Sequence, residues 1–347
     1  MTDIGEMYLQ ALNSTLPVIL LILVGIFVYW KELFKNNNYA EFTALSIKIG
    51  LPIKSIYVLS SQKLRSEDGM LVGALVASSA ILAILIVPFL FLYKKEYRLL
   101  AFSSLLSITS ISNMVVSAIP IFSGLYDPTE VEKNAYLQML ACFGLVLPFV
   151  YYCFELATTK TKMRPGKLIL LCLWRTVKQP VIIGVIVGLI MNAIMQPLNL
   201  EYPQFLVNAF NTIGYVVAPL SLYMLGMLAC KKLKAARDAK KQGLKIDDYL
   251  SRPGKIIINI FVQVMRHLVQ PLLVAVFCKL FGVESEEIAE LSAGICASPA
   301  AVLSVVICDE YGFGTTEAAI DSIFGVFTGF LVIPLLQIIC RKLYGVE

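Results

Sequence analysis

The chain has 347 residues, 58% of them hydrophobic and only 15% charged, with a formal net charge of +5. Soluble domains carry nearer a quarter charged residues. Apolar runs of about 20 residues, the length that crosses a bilayer core of ~30 Å, recur from end to end. These features exclude an ordinary soluble enzyme or a nucleic-acid-binding domain, and the chain reads as an all-α polytopic membrane protein.

In chain order, ten spans are expected, at roughly 7–30, 39–61, 70–93, 97–125, 134–156, 168–195, 203–230, 255–281, 288–307 and 315–340. The first begins after Asp3 and Glu6 and meets its first cations at Lys31 and Lys35, so it reads as a retained span with its amino end outside. The loops then inside collect most of the loop positive charge, including Lys94, Lys95, Arg98, Lys160, Lys162, Arg164 and a basic loop from Lys231 to Lys255. Both termini are therefore expected outside, extracellular or lumenal, and the plasma membrane is expected rather than an internal one.

The eight cysteines fall mostly inside apolar segments with no metal or disulfide spacing, and the single His267 builds no histidine metal site. Neither a P-loop nor a G-x-S-x-G is present. No cofactor, metal, nucleic acid or enzymatic activity is expected.

Ten spans divide into two fives, and the halves resemble each other. Residues 17–25 read PVILLILVG and residues 180–188 read PVIIGVIVG. Further prolines pair in the same order: Pro52 with Pro219, Pro88 with Pro271, Pro120 with Pro299, and Pro148 with Pro334. Five spans per half give the repeats opposite orientations, the pattern of secondary transporters whose sites lie at interrupted helices. The first repeat is placed at 7–157, a short cytoplasmic linker at 158–167 and the inverted repeat at 168–341.

The fourth span ends in 112–124, SNMVVSAIPIFSG. Asn113, Ser117 and Pro120 are spaced four and three apart and would share one helical face. Pro120 removes a backbone donor and frees the carbonyl of Val116, which in lipid requires a protein or water-lined environment. Its expected partner is 294–305, GICASPAAVLSV, around Pro299.

These residues resemble the auxin efflux carrier family, which includes the plant PIN carriers and microbial relatives, over essentially the whole chain. NMVVSAIP at 113–120 is similar to the family's Asn-x-x-x-x-Gly-x-Pro signature, with Ala118 in place of the glycine, and Tyr126 falls where the PIN pattern has a tyrosine. SPAA at 298–301, followed by Asp309, Glu310 and Tyr311, resembles the PIN ninth helix, with Ala300 in place of a glutamine. The loop between the fifth and sixth spans is about ten residues, as in a compact microbial-type member.

The resemblance implies a fold like that of bile-acid and sodium–proton transporters, with the fourth and ninth helices crossing at their prolines. Scaffold helices at about 7–61 and 168–230 would carry a homodimer contact. Transport-domain helices at about 70–157 and 255–340 would move as an elevator. Substrates would be small organic anions, indole-type or other mono- and dicarboxylates.

Beside the resemblance, half-helix N-termini near Ile121 and Ala300 suit a carboxylate. Asn113, Ser117, Ser298 and Ser304 supply amide and hydroxyl groups around Pro120 and Pro299. With no Arg or Lys in either stretch, neutral donors are expected to hold the anion. Asp321 lies six residues past Thr315, roughly 9 Å into the tenth span. It reads either as a coupling carboxylate or as a residue at the cytoplasmic entrance. Lys54 and Lys48 read either as attractors of the anion or as snorkelling side chains, the latter favoured for Lys48. His267 beside Arg266 reads as a packing residue. Two other readings stay open: a sodium-coupled bile-acid-type symporter, which would need acidic or polar cation ligands at the crossing, and a non-transporting receptor on the same fold.

Overall fold

The computed structural model describes residues 4–33, 44–158, 164–241 and 252–345. Among them the chain is helical throughout, with no strand. The helices are α1 (Ile4–Trp30), α2 (Leu51–Ser61), α3 (Ser66–Ile86), α4 (Arg98–Ser110), α5 (Ile119–Phe122), α6 (Pro128–Ala141), α7 (Leu147–Thr158) and α8 (Pro165–Val177). There follow α9 (Pro180–Met195), α10 (Gln204–Lys241), α11 (Arg252–Val264), α12 (Gln270–Phe281), α13 (Glu286–Cys296), α14 (Val302–Glu310) and α15 (Thr315–Tyr344).

Among the described residues, five segments are long and apolar enough to cross a membrane: Gly5–Trp30, Ser66–Leu92, Pro128–Thr158, Gln204–Leu228 and Pro253–Phe281. Counting each of two bent pairs as one span gives seven: Pro165–Val177 with Pro180–Met195, at 76°, and Thr315–Gly329 with Leu331–Tyr344, at 59°. The expected sixth span is thus two helices meeting at Lys178 and Gln179, with Pro180 opening the second. The expected fourth and ninth spans are each broken in the middle. Their halves, such as the 13-residue α4 and the 9-residue α14, reach only about 20 and 14 Å and cross nothing alone. The start of the second span and residues 159–163 of the 158–167 linker lie outside the described residues. The basic stretch from Lys231, expected as a loop, continues α10 to Lys241, and the rest of it before Arg252 also lies outside the described residues.

Four prolines leave a common signature. π-helical turns occupy Ser46–Gly50, Met114–Ala118, Cys142–Val146 and Met265–Val269, each ending two residues before Pro52, Pro120, Pro148 or Pro271. A proline ring clashes with the carbonyl four residues back and gives it no donor. Widening that turn absorbs both effects without breaking the helix.

Close packing is built on glycine. A Cβ at Gly184 of α9 would lie 2.6 Å from Pro52 Cα, and one at Gly188 would lie 2.9 Å from Ser55 O, so α9 meets α2 backbone to backbone. Gly25 and Gly226 do the same for α1 and α10, against Tyr223 and Ile22. Small residues at such crossings are what membrane helix pairs need, because lipid offers no hydrophobic drive for association. Among the described residues, two large apolar clusters dominate the interior. One contains Met114, Ile121 and Cys296, the other Ile111, Ala300 and Val305, so both broken spans pass from one cluster to the other at their breaks.

Candidate functional site

At the two breaks the chain is extended, and the breaks pair with each other. Asn113 N donates to Pro299 O at 2.8 Å, and Ala301 N donates to Ile111 O at 3.0 Å. Ser112 and Ala300 thus face one another in an isolated antiparallel bridge. This two-bond pairing satisfies backbone groups that an interrupted helix would otherwise leave bare in an apolar interior. Pro299 lies in the crossing, as expected. Pro120 does not: it sits eight residues past Ser112, inside α5, and its effect is the π turn before it. The expectation that both helices cross at their prolines is corrected accordingly, and Pro120 and Pro299 are not equivalent positions.

A cavity of about 310 Å³ opens against the crossing. Its wall is mostly apolar, with Leu51, Met114, Val115, Met139, Phe143 and Val302 among the lining residues. The polar side chains on it are Ser112, Asn113, Gln179 and Ser221. Asn113 is 5% exposed, and its Nδ2 has no protein partner. The backbone of Asn113 is fully used: its carbonyl accepts from Ser117 N, Ala118 N and, at 2.8 Å, Ser117 Oγ. A buried amide donor facing an apolar cavity is the polar handle that a small ligand would meet there.

The remaining expected site residues divide. Ser117 spends its hydroxyl on Asn113 O and is off the cavity wall. Ser304 donates to Ser107 O at 3.0 Å and ties α14 to α4. Ser298 has a buried hydroxyl without a protein partner but does not line the cavity. Ile121 belongs to the apolar cluster, since the second half of the fourth span begins at Met114 and not at Ile121. Ala300 offers its N–H as expected, but that N–H is already taken: Asp321 Oδ2 accepts it at 2.8 Å.

Asp321 is fully buried against the crossing, and not at an entrance. Its Oδ1 accepts from Gln263 Nε2 at 2.7 Å and lies 3.3 Å from His267 Nε2. One cation, Arg266, reaches the crossing, although it does not line the cavity. Its side chain is fully buried, donating from Nε to Ser298 O at 2.9 Å and from Nη1 to Thr109 O at 2.8 Å and Gln270 Oε1 at 2.6 Å. Those carbonyls close α4 and the segment after α13, the negative ends of the two incoming half-helices, where a cation is favoured. Arg266 belongs to neither crossing stretch and reaches them from the turn Met265–Val269 of a third span.

Lys54 is buried and paired with Glu132 at 3.0 Å, with a bond to Asn211 Oδ1 at 3.2 Å, and does not face the cavity. Lys48 is exposed. Arg175 of α8 meets Glu155 at 3.0 Å, Tyr311 OH at 2.9 Å, and Glu310. Among the described residues no group of three His, Cys, Asp or Glu could hold a metal ion.

Long apolar helices, with a pair of interrupted helices crossing among them, indicate an integral membrane protein. A family model described as membrane transport protein matches residues 10–337. The chain belongs to that family, the auxin efflux carriers, whose members are transporters. A comparison with curated proteins gives no match.

Proposed function

We propose that this transporter carries small organic anions with an apolar body, bound in the cavity beside the crossing with the carboxylate on Asn113. The observation that carries this reading is the unpartnered, buried Nδ2 of Asn113 on an otherwise apolar wall. One carboxylate and a hydrocarbon or aromatic body match such a wall. A second carboxylate would be buried against Met, Val and Leu at a cost of several kcal/mol, so monocarboxylates are preferred over dicarboxylates.

The sodium-coupled reading is disfavoured. In carriers of that kind, unwound carbonyls and half-helix C-termini coordinate the cation. Here Arg266 already donates to the carbonyls of Thr109 and Ser298.

We further propose ten spans in two inverted repeats, both termini outside, moving as an elevator. The helix contacts support this pseudosymmetry. The first span packs on the seventh (α1 on α10) as the sixth packs on the second (α9 on α2), and the fourth packs on the fifth (α4 on α7) as the ninth packs on the tenth (α13 on α15). The Lys54–Glu132 and Arg175–Glu310 pairs join the first, second, sixth and seventh spans to the rest, where a moving domain would slide. Dimer contact through the scaffold and a plasma-membrane location complete the reading.

Ligand-induced thermal stabilisation against a panel of aliphatic, indole-type and dicarboxylic acids tests it. Monocarboxylates are expected to stabilise the wild type and not Asn113→Ala. Equal stabilisation of both, or preference for dicarboxylates, would remove Asn113 from the site.

A further inference from the structure

The pair His267–Asp321 lies beside the crossing and outside the cavity, and its hydrogen bonds constrain where protons sit. His267 Nδ1 is 2.6 Å from Ala297 O. A carbonyl oxygen only accepts, so Nδ1 carries a hydrogen. In a neutral ring that leaves Nε2 a bare acceptor, and it faces Asp321 Oδ1, another acceptor, at 3.3 Å. The two atoms form a hydrogen bond only through a further proton, present as imidazolium or as carboxylic acid. His267 and Asp321 are 1% and 0% exposed, so bulk water does not separate them.

The surroundings hold this geometry. Gln263 is oriented by Thr328 Oγ1, which donates to Gln263 Oε1 at 3.0 Å, so its amide nitrogen points at Asp321. The Ala300 N–H fixes the other carboxyl oxygen. A Cβ at Gly325 would lie 2.8 Å from both His267 Nε2 and Pro299 Cβ, so the glycine on α15 lets the ring lodge against the crossing. The charged and titratable groups near the pair among the described residues include Arg266 on the neighbouring position, itself beside the buried thiols of Cys142 and Cys296, and, one turn earlier on α15, the buried Glu317.

We infer that His267 and Asp321 together bind one exchangeable proton, and that this proton sets the charge which the crossing offers to the transported anion. With the proton, the pair is neutral and the charge of Arg266 is unbalanced, so the crossing carries +1. Without it, the carboxylate cancels Arg266 and the crossing carries none. The balance is simple: one proton binds, no bond to substrate forms, and the proton leaves when the pair is exposed to the opposite side. An anion on Asn113 therefore binds more tightly to the protonated carrier, and by linkage the anion promotes protonation to the same extent. The expected coupling is in the usual range of roughly 5- to 150-fold. The second half of the inference rests on the carrier reading above; the proton site does not.

The chain has one histidine, so ¹⁵N-histidine labelling of the full protein in nanodiscs, with a histidine-free affinity tag, reports this ring alone. As pH is varied, Nδ1 is expected to stay protonated while the Nε2 resonance moves, and Asp321→Asn, which keeps an oxygen for the Ala300 N–H, is expected to change that response. A neutral ring protonated at Nε2, or an Nε2 signal indifferent to Asp321→Asn, overturns the proton site. In proteoliposomes, addition of indole-3-acetate or another carboxylate that moves is expected to carry protons with it in the wild type and not in Asp321→Asn. Anion flux in the wild type without proton movement overturns the coupling. Absence of any anion flux would sink the carrier reading while the resonance still decides the proton site.

Discussion

Replacing Asn113 by alanine separates ligand binding from folding more cleanly than any other change at the crossing. Everything structural that Asn113 does is done by its backbone: its N–H holds Pro299 O and its carbonyl receives Ser117 and Ala118. Its φ of −82° and ψ of 60° lie at negative φ and demand no special side chain. Alanine therefore keeps the crossing, and removing an unpartnered buried Nδ2 leaves no new orphan behind. What is lost is one hydrogen bond from an amide to a charged carboxylate, about 1.5–3 kcal/mol. That corresponds to roughly a 10- to 150-fold weaker Kd. Binding is measured by calorimetry or scintillation proximity on purified protein, beside the unfolding midpoint of the free protein. An unchanged midpoint with affinity down by at least tenfold is expected. Unchanged affinity, or a variant that unfolds, would refute the assignment. Asn113→Asp, which sets a negative charge on the same wall, should abolish binding of the anion.

Three other perturbations follow from the packing and the charges. Arg266→Met strips the carbonyls of Thr109 and Ser298 and leaves Asp321 buried without its nearby cation, a cost of about 3–5 kcal/mol; adding Asp321→Asn should recover part of it in thermal unfolding, and strictly additive losses would deny the coupling. Gly184→Val should cost about 1–3 kcal/mol by forcing α9 off Pro52, with no loss expected for valine at Gly166, where an added Cβ meets nothing. For the elevator, a reducible bis-methanethiosulfonate cross-link between Lys54→Cys and Glu132→Cys, which replaces a Lys–Glu pair whose charged ends are 3.0 Å apart, should stop transport, and reduction should release it. Transport that continues through the cross-link means that α2 and α6 do not move apart.

The helices and the family were legible in the sequence because their causes are local. Apolar length marks a span, and the family signature at Asn113 is contiguous. Asn113 could be singled out for the same reason: an amide in an apolar run is conspicuous wherever the chain goes. The site's charge was not legible in the two crossing stretches, because Arg266, His267 and Asp321 reach the crossing from other helices. A signal did exist. Gln263, Arg266, His267 and Gln270 fall at i, i+3, i+4 and i+7, one polar face on an otherwise apolar span. Read singly, His267 looked like packing; read as a face, it marks a buried polar contact. Pro120 misled for the opposite reason. Its local effect is real, a π turn that relieves the ring clash, but the break belongs to Ile111–Asn113, whose extended backbone is fixed by pairing with Pro299 and Ala301. Nothing in the local sequence there announces a strand-like pairing.

The central claim is that an organic anion crosses the membrane through the cavity at Asn113. Counterflow of a radiolabelled monocarboxylate in proteoliposomes, with wild type and Asn113→Ala reconstituted side by side, tests it most directly. Saturable exchange by the wild type, competed by apolar monocarboxylates and lost in the variant, is the expected result. No exchange with any carboxylate, or equal exchange by both proteins, would contradict it.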